Sequence, residues 1–452
     1  MRKFKTPGFL VLLLLAIPAF AGTFPAGGPH TTNNDDSCDI SLLPAATLLL
    51  PYFEVDVNDR SGETTLFTVT NVTNRPQIAR INLWTDWGYP VMNFNIYLTG
   101  YDTQSINLYD VIVRGLIAPD LGTGTDISND GEFSEPTNPL LNVTNCDELP
   151  GSIPQIYVTH MKRALTEGVV PSIGTFTGCN TAGNAHANAI GYVTIDVVRT
   201  CGVRLANDPL YYNQEILWDN VLTGDFQQIH SGNNYAQGNP MVHIRAIPDG
   251  GSPSDRTTDP AAYRANFERT FYSRYQSGAK LDGRQPLPAR FAARWIDGGT
   301  TSFQTFFKVW REGKTTDSTL CNQYMAQGKQ LAVTELTMFD EEENPYMTTS
   351  SICCVGLKKE LPSTSMTDVA NDDIFPPNPG DFIAGWMYFN LDNDDTNNVA
   401  SQNWVIASMR AEGRFSTDTD ATALGNGCSP EVDASEIYAD GGPVIGPSPN
   451  TN

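Results

Sequence analysis

The sequence predicts an all-β protein: two related antiparallel β-sandwich domains in tandem, joined by a short helical linker. Three observations carry this expectation. The chain repeats a pattern of short blocks in the same order, the blocks alternate apolar and polar residues between turn signals, and eight cysteines divide evenly between the halves.

The repeat emerges when the chain is read against itself. Phe53-Glu54-Val55-Asp56 leads through the turn Asp59-Arg60-Ser61-Gly62 into Thr64 to Val69. Phe291 leads through Asp297-Gly298-Gly299 into Thr300 to Phe306. Leu83-Trp84 precedes Pro90 and Met92 as Met338-Phe339 precedes Pro345 and Met347. Gly191 to Asp196 matches Gly385 to Asn390, and Ile244-Arg245-Ala246 matches Met409-Arg410-Ala411. On this scheme Val242–Ala246 corresponds to Ala407–Ala411, His243 takes the place of Ser408, and Arg245 and Arg410 project from equivalent edges.

Leu66 to Thr70 and Ile78 to Trp84 alternate as half-buried strands do, and Asn71 to Pro76 carries the Asn and Pro that make turns. Asn93–Leu98 and Gln104–Leu108 continue the meander. The second copy offers Thr305–Trp310, Leu331–Phe339, Gly385–Leu391 and Trp404–Ala411. Short strands at this density resemble immunoglobulin-like modules, although the Cys…Trp…Cys core spacing of antibody domains is not evident.

The copies differ most in an insertion at 116–181, rich in Gly, Asn, Asp, Thr and Pro. A long loop-rich stretch of this kind serves either as a binding surface or as a cover for a sheet edge. The expected layout is a signal peptide at 1–21, a disordered N-terminus at 22–37 and a first sandwich at 38–248. A linker follows at 249–284, a second sandwich at 285–430 and a disordered tail at 431–452. Within the linker, Asp259 and Pro260 can start a helix whose Tyr263, Phe267, Phe271 and Tyr275 share one face before Gly278. An aromatic face of this spacing suits packing between the sandwiches.

Arg2, Lys3 and Lys5, the apolar run Phe9–Ile17 and Ala19-Phe20-Ala21 read as a secretory leader. Export to the periplasm, cell surface or exterior follows. No later apolar run reaches membrane-spanning length, so membrane insertion is not expected. The formal charge of −23 repels nucleic acid and anionic lipid, which leaves a glycan or another extracellular protein as the partner classes.

In an oxidising compartment the cysteines are expected to be bridged: Cys38, Cys146, Cys179 and Cys201 in the first half, and Cys321, Cys353, Cys354 and Cys428 in the second. Cys179 and Cys201 flank one expected strand, which favours a local bridge. Zinc lacks the paired C-x-x-C it would need.

No G-x-S-x-G, H-E-x-x-H, phosphate-binding loop or dinucleotide fingerprint occurs. No cofactor is required, and calcium is the one ion the sequence raises. Asp126, Ser128 and Asp130 place oxygens at alternate positions before Gly131, and Asp392 and Asp394 lie in a second oxygen-rich turn. The expected function is a non-enzymatic structural or adhesive protein. The alternative is a carbohydrate-binding protein using exposed Trp84, Trp87 and Tyr89 beside Asp86; the competing placement puts Trp84, matched by Phe339 in the other copy, in the core and leaves Trp87 as the candidate. Glycoside hydrolysis ranks below both. His186, in the small-residue stretch Ala182 to Ala189, is read as a solvent-facing loop residue.

Overall fold

The computed structural model describes residues 42–75, 77–86, 88–117, 153–173, 179–180, 185–199, 204–206, 211, 215–217, 219–246, 284, 287–288, 290–299, 303–311, 331–332, 335–342, 345–347, 360–361, 367–370, 383–391, 402–411 and 415–424. The linker helix, both Asp-rich turns and every cysteine except Cys179 lie outside these residues.

Module one comprises β1 (Thr47–Val55), β2 (Glu63–Asn71), β3 (Gln77–Thr85), β4 (Pro90–Leu98) and β5 (Thr103–Asn107), then helix α1 (Gln155–Thr166). It continues with β6 (Val169–Val170), β7 (Cys179–Asn180), β8 (Ala189–Val198), β9 (Leu222–His230), β10 (Tyr235–Pro240) and β11 (Val242–Ile244). Module two comprises β12 (Arg290–Ile296), β13 (Gln304–Arg311), β14 (Leu331–Ala332), β15 (Glu335–Asp340), β16 (Pro345–Met347) and β17 (Glu360–Leu361). Its remaining strands are β18 (Thr367–Ala370), β19 (Ala384–Asn390), β20 (Asn403–Ala411), β21 (Phe415–Asp420) and β22 (Thr422–Ala423).

All the sheets are antiparallel, and the two modules share one strand order. In module one a five-stranded sheet runs β11-β1-β8-β3-β4 and a four-stranded sheet runs β10-β9-β2-β5. In module two the corresponding orders are β22-β12-β19-β15-β16 and β21-β20-β13-β18. Short ladders join β6 to β7 and β14 to β17.

Side chains fix the register of the match. The Glu54 N–H donates to Thr65 Oγ1 at 3.1 Å, and that hydroxyl donates back to the Glu54 carbonyl at 3.1 Å. Ile296 and Thr305 make the same reciprocal pair at 2.9 and 2.8 Å. Phe53 opposes Gly191, and Trp295 opposes Gly385. Trp84 stacks on Tyr192 at 5.4 Å, and Phe339 stacks on Trp386 at 4.4 Å. Phe53 therefore corresponds to Trp295, not Phe291.

A second expected match fails outright. Val242–Ile244 is β11, at the edge of the five-stranded sheet beside β1, whereas β20 lies inside a four-stranded sheet between β13 and β21. The counterpart of β20 is β9, and that of β11 is β22. His243 therefore does not share a position with Ser408. Its Nδ1 lies 2.9 Å from the Leu43 carbonyl oxygen, tying down the chain that enters β1. Arg245 and Arg410 likewise stand in unlike places, with the Arg410 guanidinium 3.7 Å from the Phe306 ring centroid.

Helix α1 rises from the insertion expected to be loop-rich. Tyr157, Val158, Met161, Ala164 and Leu165 are buried at helical spacing, so one face can pack on β4 and β8. The five-stranded sheet of module one is thus covered on both faces: by β2 and β9 on one side, by α1, Tyr211 and Glu215 on the other. That second cover buries the polar side of β3. Arg80 and Asn82, at positions expected to face water, are fully buried.

Candidate functional site

The polar layer over the five-stranded sheet centres on Asp196. Its Oδ1 accepts from Thr47 Oγ1 and Arg284 Nη1, both at 2.6 Å, and its Oδ2 accepts from Tyr211 OH at 2.7 Å and Asn82 Nδ2 at 3.2 Å. Arg80 pairs with Glu215 and lies over the Tyr211 ring, and Arg204 Nε reaches the other Glu215 oxygen at 2.9 Å. Burial and the neighbouring Asp196 charge push the Tyr211 phenol well above its ordinary range. A charge in this setting needs several partners at once, and Asp196 has four. The cluster anchors the end of the linker through Arg284.

A second constellation faces an open groove. The turn after β3 brings Asp86 to its tip. The Thr85 N–H donates to the Tyr89 carbonyl at 2.9 Å, the Gly88 N–H to the Thr85 carbonyl at 3.0 Å, and Gly88 takes a left-handed φ of 79° that suits glycine. From the other side the His186 N–H donates to the Thr166 carbonyl at 2.7 Å, fixing the imidazole at the end of α1. His186 Nε2–H then donates to Asp86 Oδ2 at 2.8 Å. The bond to Asp86 raises the imidazole pKa. Burial opposes that shift, and the Asp86 and Glu54 charges add to it. Glu54 is itself held by Asn188 Nδ2 at 2.7 Å and Tyr52 OH at 2.6 Å.

Beside this dyad lies a groove of about 730 Å³, whose walls include Asn58, Gln155, Lys162, Arg163, Thr166 and His186. Its chemistry is that of amides, two hydroxyls, an imidazole, two cations and the Glu167 carboxylate. Arg163 pairs with Glu167 across one helical turn at 2.8 Å. Module two has no such dyad, because none of the five histidines lies beyond His243 and the residue five before Gly385 is Gly380.

Of the residues expected to bind a ligand, Asp86 is buried and committed to His186. Tyr89 is also buried, which pushes its hydroxyl up to about 12, and Trp87 lies outside the described residues. Trp84 is fully buried in the core, with its Nε1–H on Thr194 Oγ1 at 2.9 Å. Asp126, Ser128, Asp130, Asp392 and Asp394 lie outside the described residues. Among the described residues no group of three or more His, Cys, Asp or Glu side chains is placed to hold a metal, and no helix is long and apolar enough to cross a membrane.

Sequence reasoning did not anticipate His186 as the partner of Asp86, since the two stand far apart in the chain and meet only through the β3–β8 pairing. It also did not anticipate the Asp196 cluster. The helical spacing of α1 was the one signal that could have revealed a wall of the groove. No family model, no curated protein and no solved structure matches the chain.

Proposed function

We propose that the chain is an exported, non-enzymatic structural or adhesive protein that presents a loop-rich surface to an extracellular partner. The observation that carries this reading is the use of ionised side chains as internal fasteners. The Asp196–Arg284, Arg80–Glu215 and Lys308–Asp418 pairs are all buried between layers or modules. Such interiors favour a fixed shape. The leader read from the sequence and the expected disulfides support use outside the cell.

A second reading, carbohydrate binding, is favoured by the groove beside His186. Amides, hydroxyls and charged groups of both signs suit the many hydroxyls of a sugar. The mature chain should be tested on a glycan array and on immobilised extracellular proteins, alongside panels of glycoside, ester and peptide substrates. Protein binding without turnover supports the leading reading. Glycan binding lost on Trp87→Ala and His186→Ala supports the second. Turnover of any substrate that is lost on His186→Ala overturns both.

A further inference from the structure

Lys308, on β13, is the one buried lysine among the described residues, at 5 % exposure. Its Nζ donates across the module junction to Gln228 Oε1 and stands 5.1 Å from the Tyr52 ring centroid. Gln228, on β9, is fully buried. The same Oε1 also accepts from Gln237 Nε2 at 3.1 Å, so two donors polarise one amide carbonyl. The Gln228 Nε2 has no hydrogen-bond partner among the described residues. Asp418 stands beside the amine, with its Oδ2 at 3.9 Å from Lys308 Nζ and its Oδ1 held by the Ser408 hydroxyl.

An amine, a polarised primary amide and a carboxyl group thus meet in one buried place. We propose that Lys308 and Gln228 are joined in the mature protein by an isopeptide bond, which ties the two modules together covalently.

The step balances without an external reagent. The Lys308 ammonium passes a proton to the Asp418 carboxylate, and the neutral amine attacks the Gln228 amide carbon. The Asp418 carboxyl protonates the departing Gln228 nitrogen and receives a proton from the attacking one. The C–N bond to Nε2 breaks, ammonia leaves and takes the proton still held by Asp418, and the carboxylate is restored. Burial, opposed by the Lys308 charge and the Ser408 hydrogen bond, holds the Asp418 carboxyl above the usual range, as a proton shuttle here requires. Groups held in contact react as though at effective molarities of about 10⁵–10⁸ M when well aligned, which suits a slow single-turnover step. The product is a neutral secondary amide, so a buried ammonium and an unpartnered NH₂ are both removed.

Intact mass spectrometry of the reduced, full mature chain tests this. Wild type should weigh one ammonia less than its sequence, and Lys308→Arg and Gln228→Ala should each weigh their full sequence mass. A tryptic digest of wild type should contain one branched peptide joining residues 228 and 308. Asp418→Asn should leave most chains uncrosslinked, at least about ten-fold more than in wild type for a lost general acid–base group. A wild-type chain of full mass overturns the proposal, whether or not the variants fold. A deficit of one water that maps to Lys308 and Asp418 also overturns it.

Discussion

Gly191 and Gly385 hold the same place in the two modules, each pressed against the backbone of the neighbouring strand. A Cβ on Gly191 would fall 2.1 Å from the Trp84 carbonyl oxygen, and one on Gly385 would fall 1.9 Å from the Phe339 carbonyl oxygen. Behind them stand the Phe53 ring and Trp295 Nε1. Backbone cannot swing aside as a flexible side chain can, so alanine at either site must push neighbouring strands apart. Gly191→Ala and Gly385→Ala should each cost about 2–4 kcal/mol in urea unfolding. A loss below about 0.5 kcal/mol at either site would contradict the shared register.

Arg284 carries the linker into module one. Both it and Asp196 are fully buried, so Arg284→Ala leaves a carboxylate without its cation in a dry layer. The expected cost is about 3–5 kcal/mol. Asp196→Asn added to Arg284→Ala should recover some of that loss, because the unpaired charge is then gone. Equal instability of single and double variants would show that Arg284 acts through packing alone.

His160, on α1, is fully buried with its Nε2 at 3.1 Å from the Val91 carbonyl oxygen. Burial lowers its pKa from 6.5 to about 4, outweighing the backbone bonds to Val91 and Pro171 that raise it. Between those values the unfolded chain binds the proton and the folded one does not. The contribution is complete above about pH 6.5 and is lost as pH falls toward about 4, by about 3 kcal/mol in all. Urea unfolding across this window should show a steeper acid loss in wild type than in His160→Leu. Parallel acid limbs would refute the assignment.

His186 runs the other way. Its hydrogen bond to Asp86 raises the folded pKa above the unfolded 6.5, so its contribution is present below 6.5 and is lost as pH rises through the folded value. Asp86→Asn removes the carboxylate and leaves burial to act, so the imidazole should titrate at lower pH. Proton NMR of the ring follows this directly. An unmoved titration in Asp86→Asn would mean that the dyad does not form.

Much of the frame was legible in the sequence, and the failures have physical causes. The blocks around Thr65 and Thr305, Trp84 and Phe339, and Gly191 and Gly385 could be read because each pairs an aromatic or a glycine with a fixed turn. The match of Ile244-Arg245-Ala246 to Met409-Arg410-Ala411 rested on three residues with no such anchor. The true counterpart of β20, Leu222–His230, reads Leu-Thr-Gly-Asp-Phe-Gln-Gln-Ile-His and hides its strand character behind buried Gln228. Alternation in β3 correctly marked two faces but not a third layer over the polar one. Arg80, Asn82 and Asp196 became buried because Tyr211, Glu215 and Arg284 arrive from distant segments, and local pattern carries no trace of that. The groove was missed for the same reason: Val57 and Asn58, α1 and the His186 segment come from three separate stretches.

Trp310 links the modules through an apolar contact. Its ring meets Tyr192 edge-on at 5.8 Å. Farther along the strands of the junction, the Ser416 hydroxyl donates to the Ala236 carbonyl at 2.7 Å, and Gln237 Nε2 donates to Ser408 Oγ at 3.2 Å. Trp310→Ala should cost about 3–5 kcal/mol as a buried-aromatic truncation, with the loss concentrated at the junction.

Two copies of one strand order are locked into a single cooperative body. Differential scanning calorimetry of the full mature chain tests it most directly. Wild type should show one transition whose calorimetric and van't Hoff enthalpies agree, separating into two in Trp310→Ala. Two resolved transitions in the wild-type chain would contradict it.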